Sequence, residues 1–232
     1  LEVRRSVRTE LRAPGGRSVA PGNRRWDGDA TAGQSRDGAN TALNRATGVA
    51  GPMTVIGFVG LPGSGKSEAA AVARERGIPV VVMGDVIREE CRERGLDPAG
   101  HHGEVARRLR EEGGDGAIAE RTLPHVREHL ADHDTVVVEG IRSDAETDRF
   151  AEAFGEEFLL VAIEAPFEVR AERVADRGRD NVGEGGESLA DRDERELGFG
   201  MDDAIADADV TVENTASLAA FRDRIADIVE DA

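Results

Sequence analysis

The fold of this 232-residue chain is constrained most by one segment. In it, an apolar, strand-like run is followed by a glycine-rich turn and an alanine-rich helical pattern. The run "TVIGFVG" covers residues 54–60, and "GLPGSGKS" shares its last residue and covers 60–67. Glycines in such a turn let backbone N–H groups converge on one point, and the helix that follows adds the positive end of its dipole. This pattern is typical of a loop that wraps around the phosphates of a nucleotide.

We expect the whole turn to contact those phosphates. The predicted nucleotide-binding residues of this phosphate loop (residues 60–67) are Gly60, Leu61, Pro62, Gly63, Ser64, Gly65, Lys66 and Ser67. The Ser67 hydroxyl is a predicted Mg²⁺ ligand, and Lys66 is expected to act in catalysis at the β and γ phosphates. Lys66 is also the only lysine beside 29 arginines. A compact ammonium suits a tight loop better than a planar guanidinium, which gives a reason for this exception.

The chain has a regular alternation of strand and helix patterns after residue 53. Five short, β-branched apolar runs predict strands that are buried on both faces, and they cover residues 54–60, 78–85, 134–140, 158–165 and 208–214. Charged, alanine-rich segments with helical spacing lie between them, for example at 67–77, 116–130 and 217–232. We therefore predict an α/β fold with a doubly wound, parallel, five-stranded sheet, whose functional residues follow the C-terminal ends of the strands.

The charge of the chain limits its partners. The net charge is −17 and the pI is near 4.7, which argues against a nucleic-acid partner because a phosphate backbone would be repelled. An acidic, lysine-poor composition predicts a halophilic, archaeal source, since molar salt shortens the Debye length to roughly 3 Å and screens self-repulsion. The single cysteine, Cys91, fits a reducing compartment, and no run is long enough to span a membrane. We expect a cytoplasmic protein without a membrane partner.

Residues 1–52 differ in composition from the rest. They contain nine arginines and five acidic residues, a net charge of +4, and hold the only tryptophan, Trp26. No helical or strand period persists there, so we predict a disordered, basic extension. Met53 immediately precedes the first predicted strand, and we expect it to be the true start, with a domain over 53–232. Contact with RNA or an anionic partner is the alternative role for the extension.

The second predicted strand ends in "MGDVIRE", which places Asp85 and Arg88 beside the phosphate loop. Asp85 is a candidate to accept or orient the proton of an acceptor hydroxyl, and Arg88 to hold an acceptor phosphate. A helix-capping aspartate with a solvated arginine is the alternative. His101 and His102 lie in a glycine-rich segment that we expect to be a loop without a partner pattern.

The third predicted strand ends in "VVVEGIRS". Glu139 follows the apolar run, where a carboxylate can order a magnesium-bound water, so it is a predicted metal-site residue. Arg142 is expected to point to the same edge of the sheet and to act as a second arginine for the acceptor. An ordinary charge at a strand end is the alternative for Glu139.

An arginine-dense, glycine-rich stretch follows the fourth predicted strand. The segment "DNVGEGGESLAD" at 180–191 is polar and lacks apolar anchors. Such segments close over active sites, exclude water and bring positive charge to a transferring phosphoryl group. We predict a mobile lid over about 176–200, with Arg177 and Arg179 as catalytic arginines. Pairing with the many nearby acidic residues is the alternative.

Several of these segments together resemble an archaeal family of P-loop kinase-like ATP-binding proteins, which is related to dephospho-CoA kinases and adenylate kinases. The segments are "GLPGSGKSE", "VVMGDVIREE", "VVVEGIRS", "RGRDN" and "RDERELGFGMDDAIADADVTVENTASL". The resemblance spans about residues 53–232 and implies ATP binding on a doubly wound sheet with a lid. It also implies that Asn214 and Thr215 line the adenine of ATP.

Two motifs of the resemblance concern the acceptor. The spacing of Gly84, Asp85 and Arg88 is similar to the acceptor motif of adenylate kinases. The "EGIR" segment is similar to their D-G-x-P-R segment, but it carries Glu139 in place of Asp and has no proline. This departure argues against a strict nucleoside-monophosphate kinase.

These observations lead to one main hypothesis. We expect an Mg²⁺- and ATP-dependent kinase that phosphorylates a small anionic acceptor of the nucleoside-monophosphate or dephospho-CoA type. The alternative is a nucleotide-binding regulatory protein that hydrolyses ATP slowly, with Glu139 positioning the water. The sequence leaves the oligomeric state open.

Overall fold

The computed structural model describes residues 53–176 and 187–232, together with the backbone of Arg24 and Arg25. A parallel sheet forms the centre of the fold. Its strands are β1 (Arg24–Arg25), β2 (Thr54–Val59), β3 (Val80–Val82), β4 (Thr135–Glu139), β5 (Phe158–Glu164) and β6 (Val210–Glu213). The five predicted strands are thus confirmed, although each is shorter than its apolar run.

The order of the strands confirms the doubly wound topology. The sheet runs β1–β6–β5–β2–β4–β3, and every neighbouring pair is parallel. From central β2 the chain goes to the edge strand β3, returns to β4, and then crosses to β5 and β6 on the other side of β2. The phosphate loop follows that central strand. In the register, Phe58 pairs with Glu139 and Val59 with Ala162, which brings the ends of β2, β4 and β5 to one edge.

Helices follow most strands and cover both faces of the sheet. They are α1 (Lys66–Glu75), α2 (Met83–Glu93), α3 (Pro98–Gly113), α4 (Ala117–Leu130), α5 (Asp144–Phe154), α6 (Phe167–Asp176), α7 (Leu189–Leu197), α8 (Met201–Ala206) and α9 (Leu218–Asp231). The helices predicted at 67–77, 116–130 and 217–232 correspond to α1, α4 and α9. Cys91 is buried on α2 and unpaired.

The two faces of the sheet form two separate cores. On one face, side chains of β2 such as Val55 and Val59 pack against α2, α3, α4, α5 and α8. On the other face, Ile56 and Phe58 pack against α1 and α9. Alternate residues of β2 therefore enter opposite cores, which explains why its sequence is continuously apolar rather than alternating.

Three local features differ from the sequence predictions. The second strand ends at Val82, because Met83 already begins helix α2, so Asp85 lies in the first turn of that helix. His101 and His102 lie on α3 and not in a loop. Arg24 and Arg25 pair with Val210 and Thr211 at the sheet edge, whereas disorder was predicted there. The remainder of 1–52 lies outside the described residues.

The predicted lid is described only in part. Residues 177–186, including Arg177 and Arg179, lie outside the described residues. Helix α7 covers Leu189–Leu197 of this region, and it begins with a reciprocal capping box between Ser188 and Asp191. No helix in the described part of the chain is long and apolar enough to cross a membrane.

Candidate functional site

The phosphate loop has the backbone shape that the glycines predict. Gly60, Gly63 and Gly65 have φ angles of 143°, 80° and 121°, which side chains of L-residues rarely allow. At Gly60 the constraint is also steric, because a Cβ there would lie 2.2 Å from the carbonyl oxygen of Ile163 in β5. The loop therefore crosses the end of a neighbouring strand at backbone contact distance.

The amine of Lys66 is folded back into this loop. Its Nζ donates hydrogen bonds to the carbonyl oxygens of Gly60 and Leu61, the second at 3.1 Å. Burial lowers the pKa of Lys66 to about 8; the carboxylates of Glu196 and Glu139 oppose this shift, and Arg142 adds to it. The ammonium is thus held beside the cavity by two backbone acceptors, and the charges of two acidic side chains favour it.

A cavity of about 200 Å³ lies against the phosphate loop. Its walls are residues 62–67 of the loop and α1, residues 139–142 after β4, and the side of α6 and α7 that carries Val174, Arg192 and Glu196. Lys66, Ser67, Glu139 and Arg142, all predicted from the sequence, therefore meet at one cavity. The sequence did not indicate Glu196.

The loop residues fit a bound polyphosphate and its metal ion. The Ser64 hydroxyl is buried and has no hydrogen-bond partner among the described residues, so the loop holds an unused polar group. Ser67 and Glu139 both line the cavity, and Glu139 pairs with Arg74 of α1 at 3.3 Å. No group of three His, Cys, Asp or Glu side chains that would hold a metal unaided occurs within 53–176 and 187–232. A hydroxyl and one carboxylate suit an Mg²⁺ ion that also binds phosphates.

Arg142 is held at both its backbone and its side chain. Its N–H donates to the buried carboxylate of Glu146 at 2.8 Å, and its guanidinium donates to Glu196 of α7 at 2.9 Å. Glu146 also accepts a hydrogen bond from Arg110 of α3, and burial raises the pKa of its carboxyl. The side chain of Arg142 is 48% exposed and that of Glu196 only 5%. The cavity wall after β4 is therefore fastened to three helices.

An ion pair that the sequence did not identify connects α6 and α7 to the phosphate loop. The guanidinium of Arg170 binds both carboxylate oxygens of Asp193, at 2.8 and 2.7 Å, and both residues are buried. The same guanidinium donates to the carbonyl oxygens of Pro62 and Ala165. Arg170 therefore has a structural role, although it belongs to the arginine-dense stretch that suggested a lid.

The C-terminal strand supports the loop from the other side. The amide of Asn214 donates to the carbonyl oxygen of Ser64 at 2.8 Å, and its own oxygen accepts from Arg173 at 3.1 Å. A second cavity, of about 370 Å³, opens here and is lined by Gly65, Asn214 and residues of α9. Thr215 does not belong to that lining. The predicted contact of Asn214 and Thr215 with adenine remains a prediction, but the Asn214 side chain already braces the loop.

Asp85 and Arg88 form an ion pair on the first turn of α2, at 2.6 Å. The side chain of Asp85 is 65% exposed, so this pair faces solvent. Gly140 of the cavity wall lies against this helix start, because a Cβ on Gly140 would be 3.9 Å from the Gly84 nitrogen. The predicted acceptor residues thus adjoin the phosphate cavity.

The central position of the loop, the parallel sheet and the lone lysine at the cavity define a domain of the P-loop kinase-like class. A family profile described as an AAA domain matches residues 56–196. A UPF0200 protein of Halobacterium salinarum is 59% identical over 177 residues, which are 76% of this chain and 93% of the relative. The chain belongs to the UPF0200 family.

A solved structure shares this fold at low sequence identity. TT1252 from Thermus thermophilus superposes with a TM-score of 0.51 at 21% identity. The match covers 78% of this chain and 98% of the TT1252 chain. A shikimate kinase from Acinetobacter baumannii has a TM-score of 0.48 at 19% identity, and this match covers 77% of this chain and 92% of the shikimate kinase chain. The archaeal relative agrees with the predicted archaeal origin, and the salt-adapted source remains a prediction.

Proposed function

We propose that this protein is an ATP-dependent kinase that transfers the γ-phosphoryl group to a small anionic acceptor in the cytoplasm. The observation that carries the proposal is the shared cavity: Lys66 of the phosphate loop and Arg142 of the neighbouring strand end line the same space. A P-loop alone suits any nucleotide-binding protein. A second cation on the adjacent wall supplies charge for a second anionic molecule.

The loop residues would hold the phosphates of ATP. Backbone N–H groups around Gly63 and Gly65 and the start of α1 favour negative charge, and the buried Ser64 hydroxyl is available as a donor. Lys66 has a pKa of about 8 without a ligand, and the negative charge of a phosphate would favour its ammonium form. Mg²⁺, when bound, would neutralise phosphate charge, with Ser67 and Glu139 as the residues that hold it. Adenine would lie near Asn214 and Thr215, beside the second cavity.

The residues of α2 and of the β4 end would hold the acceptor. Arg88 and Arg142 bind its anionic group. The attacking oxygen is a phosphate oxygen in a nucleoside monophosphate or a hydroxyl oxygen in a dephospho-CoA-like molecule, and in the second case Asp85 takes the hydroxyl proton. That oxygen forms a bond to the γ phosphorus while the bond from phosphorus to the β,γ-bridging oxygen breaks, so ADP leaves. Arg177 and Arg179 are proposed to neutralise the transferring group. The acceptor arginines favour a nucleoside monophosphate or a dephospho-CoA-like molecule.

A screen for phosphoryl transfer tests this proposal. Purified protein is incubated with Mg²⁺ and ATP labelled at the γ position, with and without a panel of nucleoside monophosphates and CoA precursors. A kinase transfers label to one class of acceptor and hydrolyses little ATP without it. Steady hydrolysis that no acceptor changes would favour the regulatory ATPase instead. Absence of any ATP binding, measured by thermal shift, would reject both functions.

A further inference from the structure

We propose that Glu146 of α5 and Arg110 of α3 are positioning residues that hold Arg142 in the phosphate cavity. This inference rests on the proposed kinase function and deepens it, because Arg142 is an arginine that the proposal assigns to the anionic acceptor. Neither Glu146 nor Arg110 belongs to the lining of the cavity among the described residues. Both would therefore affect the reaction only through Arg142.

The turn between β4 and α5 is anchored on both sides of Arg142. Gly140 has a φ of 103°, and Ile141 is fully buried. Ser143, which is 3% exposed, caps α5 by accepting the N–H of Glu146 at 3.2 Å. The side chain of Arg142 is 48% exposed between these buried neighbours. Its direction therefore depends on how firmly its own peptide group is held.

Glu146 holds that peptide group. It is the third residue of α5, and its Oε2 accepts the N–H of Arg142 at 2.8 Å. In a capping box the carboxylate at this helix position would instead accept the N–H of the capping residue, Ser143. Here the bond reaches one residue further back. A side chain that is 1% exposed thus fixes the backbone of the cavity arginine.

Arg110 holds Glu146 in turn. Its Nη2 donates to Oε1 of Glu146 at 3.2 Å, so each oxygen of the buried carboxylate has a donor. The N–H of Arg142 and the charge of Arg110 favour the carboxylate form and oppose the effect of burial on the Glu146 pKa. Without Arg110, one buried oxygen would lose its partner, which is costly.

Arg110 also contacts the region that supports the side chain of Arg142. Its guanidinium lies over the ring of Phe199, 5.2 Å from the ring centroid. Phe199 follows α7, the helix whose Glu196 accepts from the Arg142 guanidinium. A planar guanidinium suits both contacts, because its edge donates to a carboxylate while its face covers a ring. One residue of α3 therefore contacts both supports of Arg142.

The first test observes Arg142 directly and needs no acceptor. NMR of the full chain measures the hydrogen exchange of the Arg142 N–H and the mobility of its guanidinium. In Glu146→Gln and in Arg110→Gln we expect the exchange to become severalfold faster and the guanidinium more mobile, because the charged acceptor is removed or released. Glu152→Gln and Arg107→Gln, exposed changes on the same two helices, are the matched controls and should change neither value.

The second test is a double-mutant cycle with the acceptor found by the phosphoryl-transfer screen. Glu146→Gln and Arg142→Gln are each expected to raise the KM for the acceptor at least about fivefold, with a smaller change in kcat. The double variant should have the KM of Arg142→Gln alone, because Glu146 acts through that residue. A residue that only stabilised the fold would give effects that add.

The outcomes separate this inference from the proposed function. Unchanged exchange and mobility of Arg142 in both single variants, with urea unfolding showing that they are folded, would overturn the positioning role. Additive effects on KM in the double variant would overturn it as well. Absence of any phosphoryl transfer would reject the kinase. The NMR comparison would still decide in that case whether Glu146 and Arg110 hold Arg142.

Discussion

The guanidinium of Arg142 lies 2.9 Å from the carboxylate of Glu196, and both side chains line the cavity of the phosphate loop. An acidic side chain thus occupies the wall of a site that is proposed to receive ATP. Glu196 also opposes the lowering of the Lys66 pKa, so the three residues form one electrostatic group. Nucleotide binding must compete with this internal anion for the same cations.

We therefore predict that Glu196→Gln binds ATP more tightly than the wild type. Removing one negative charge near the phosphates is worth about 1 kcal/mol, which corresponds to roughly fivefold in affinity. The affinity is measured at fixed ionic strength by displacement of a fluorescent ATP derivative. Glu194→Gln, an exposed change on the same helix, is the control and should leave the affinity unchanged. Weaker binding in Glu196→Gln would show instead that this carboxylate supports the nucleotide.

Replacement of Lys66 by alanine is expected to abolish phosphoryl transfer without unfolding the protein. The amine contacts only backbone carbonyls of the loop, so its loss opens no apolar core. The expected decrease in kcat is at least about 100-fold, as for other groups that stabilise developing charge. Turnover with the acceptor found in the screen is compared with that of Arg76→Ala. Normal turnover in the Lys66 variant would contradict the proposed function.

The pKa of Lys66 also predicts a pH dependence of stability. A pKa of about 8 in the folded protein, against 10.5 when unfolded, means that the unfolded chain binds more protons between these values. The cost of the buried ammonium is therefore fully present below pH 8 and disappears as the pH rises to about 10.5. Relative to Lys66→Met, the wild type should gain up to about 3 kcal/mol in free energy of unfolding across this window.

Urea unfolding of both proteins at pH 7 and pH 10 measures that difference. Other groups titrate in both proteins, so only the change in the difference belongs to Lys66. A difference that is the same at both pH values would show that the Lys66 amine is hydrated rather than buried.

The buried ion pair between Arg170 and Asp193 is expected to stabilise the folded protein, because each side chain neutralises the other's charge. In Asp193→Ala the buried guanidinium loses both of its carboxylate contacts, and breaking a buried pair in this way costs about 3 kcal/mol or more. Thermal and urea unfolding measure the loss, and Glu194→Ala serves as the exposed control. A change of less than about 0.5 kcal/mol, the usual range for surface residues, would contradict the structural role of the pair.

The parts of the fold that were predicted correctly depend on local sequence patterns. Strands β2, β4 and β5 are continuous apolar runs, and the phosphate loop is fixed by glycine spacing and by Lys66. The end of β3 was predicted less well, because "MGD" continues the apolar run in sequence while its residues already begin α2. When a helix begins directly after a strand, with no loop residues between them, the local sequence does not mark the boundary.

The missed residues make contacts that no local pattern encodes. Glu196 meets Arg142 from 54 positions away, and Asp193 meets Arg170 from 23. One signal was available in the charge density of "LADRDEREL": the nine residues of α7 include few apolar ones, so its inward face has to be charged. Asp193 and Glu196 are three apart and share that face.

The bond between the Asn214 amide and the Ser64 carbonyl joins positions 150 residues apart. A fragment that stopped before β6 would keep every letter of the glycine-rich motif and lose the brace that shapes it. The glycine-rich motif therefore does not fix the shape of the loop by itself. The loop reaches its final shape only when β6 is in place. During synthesis, β6 must therefore be made before the loop can bind a ligand.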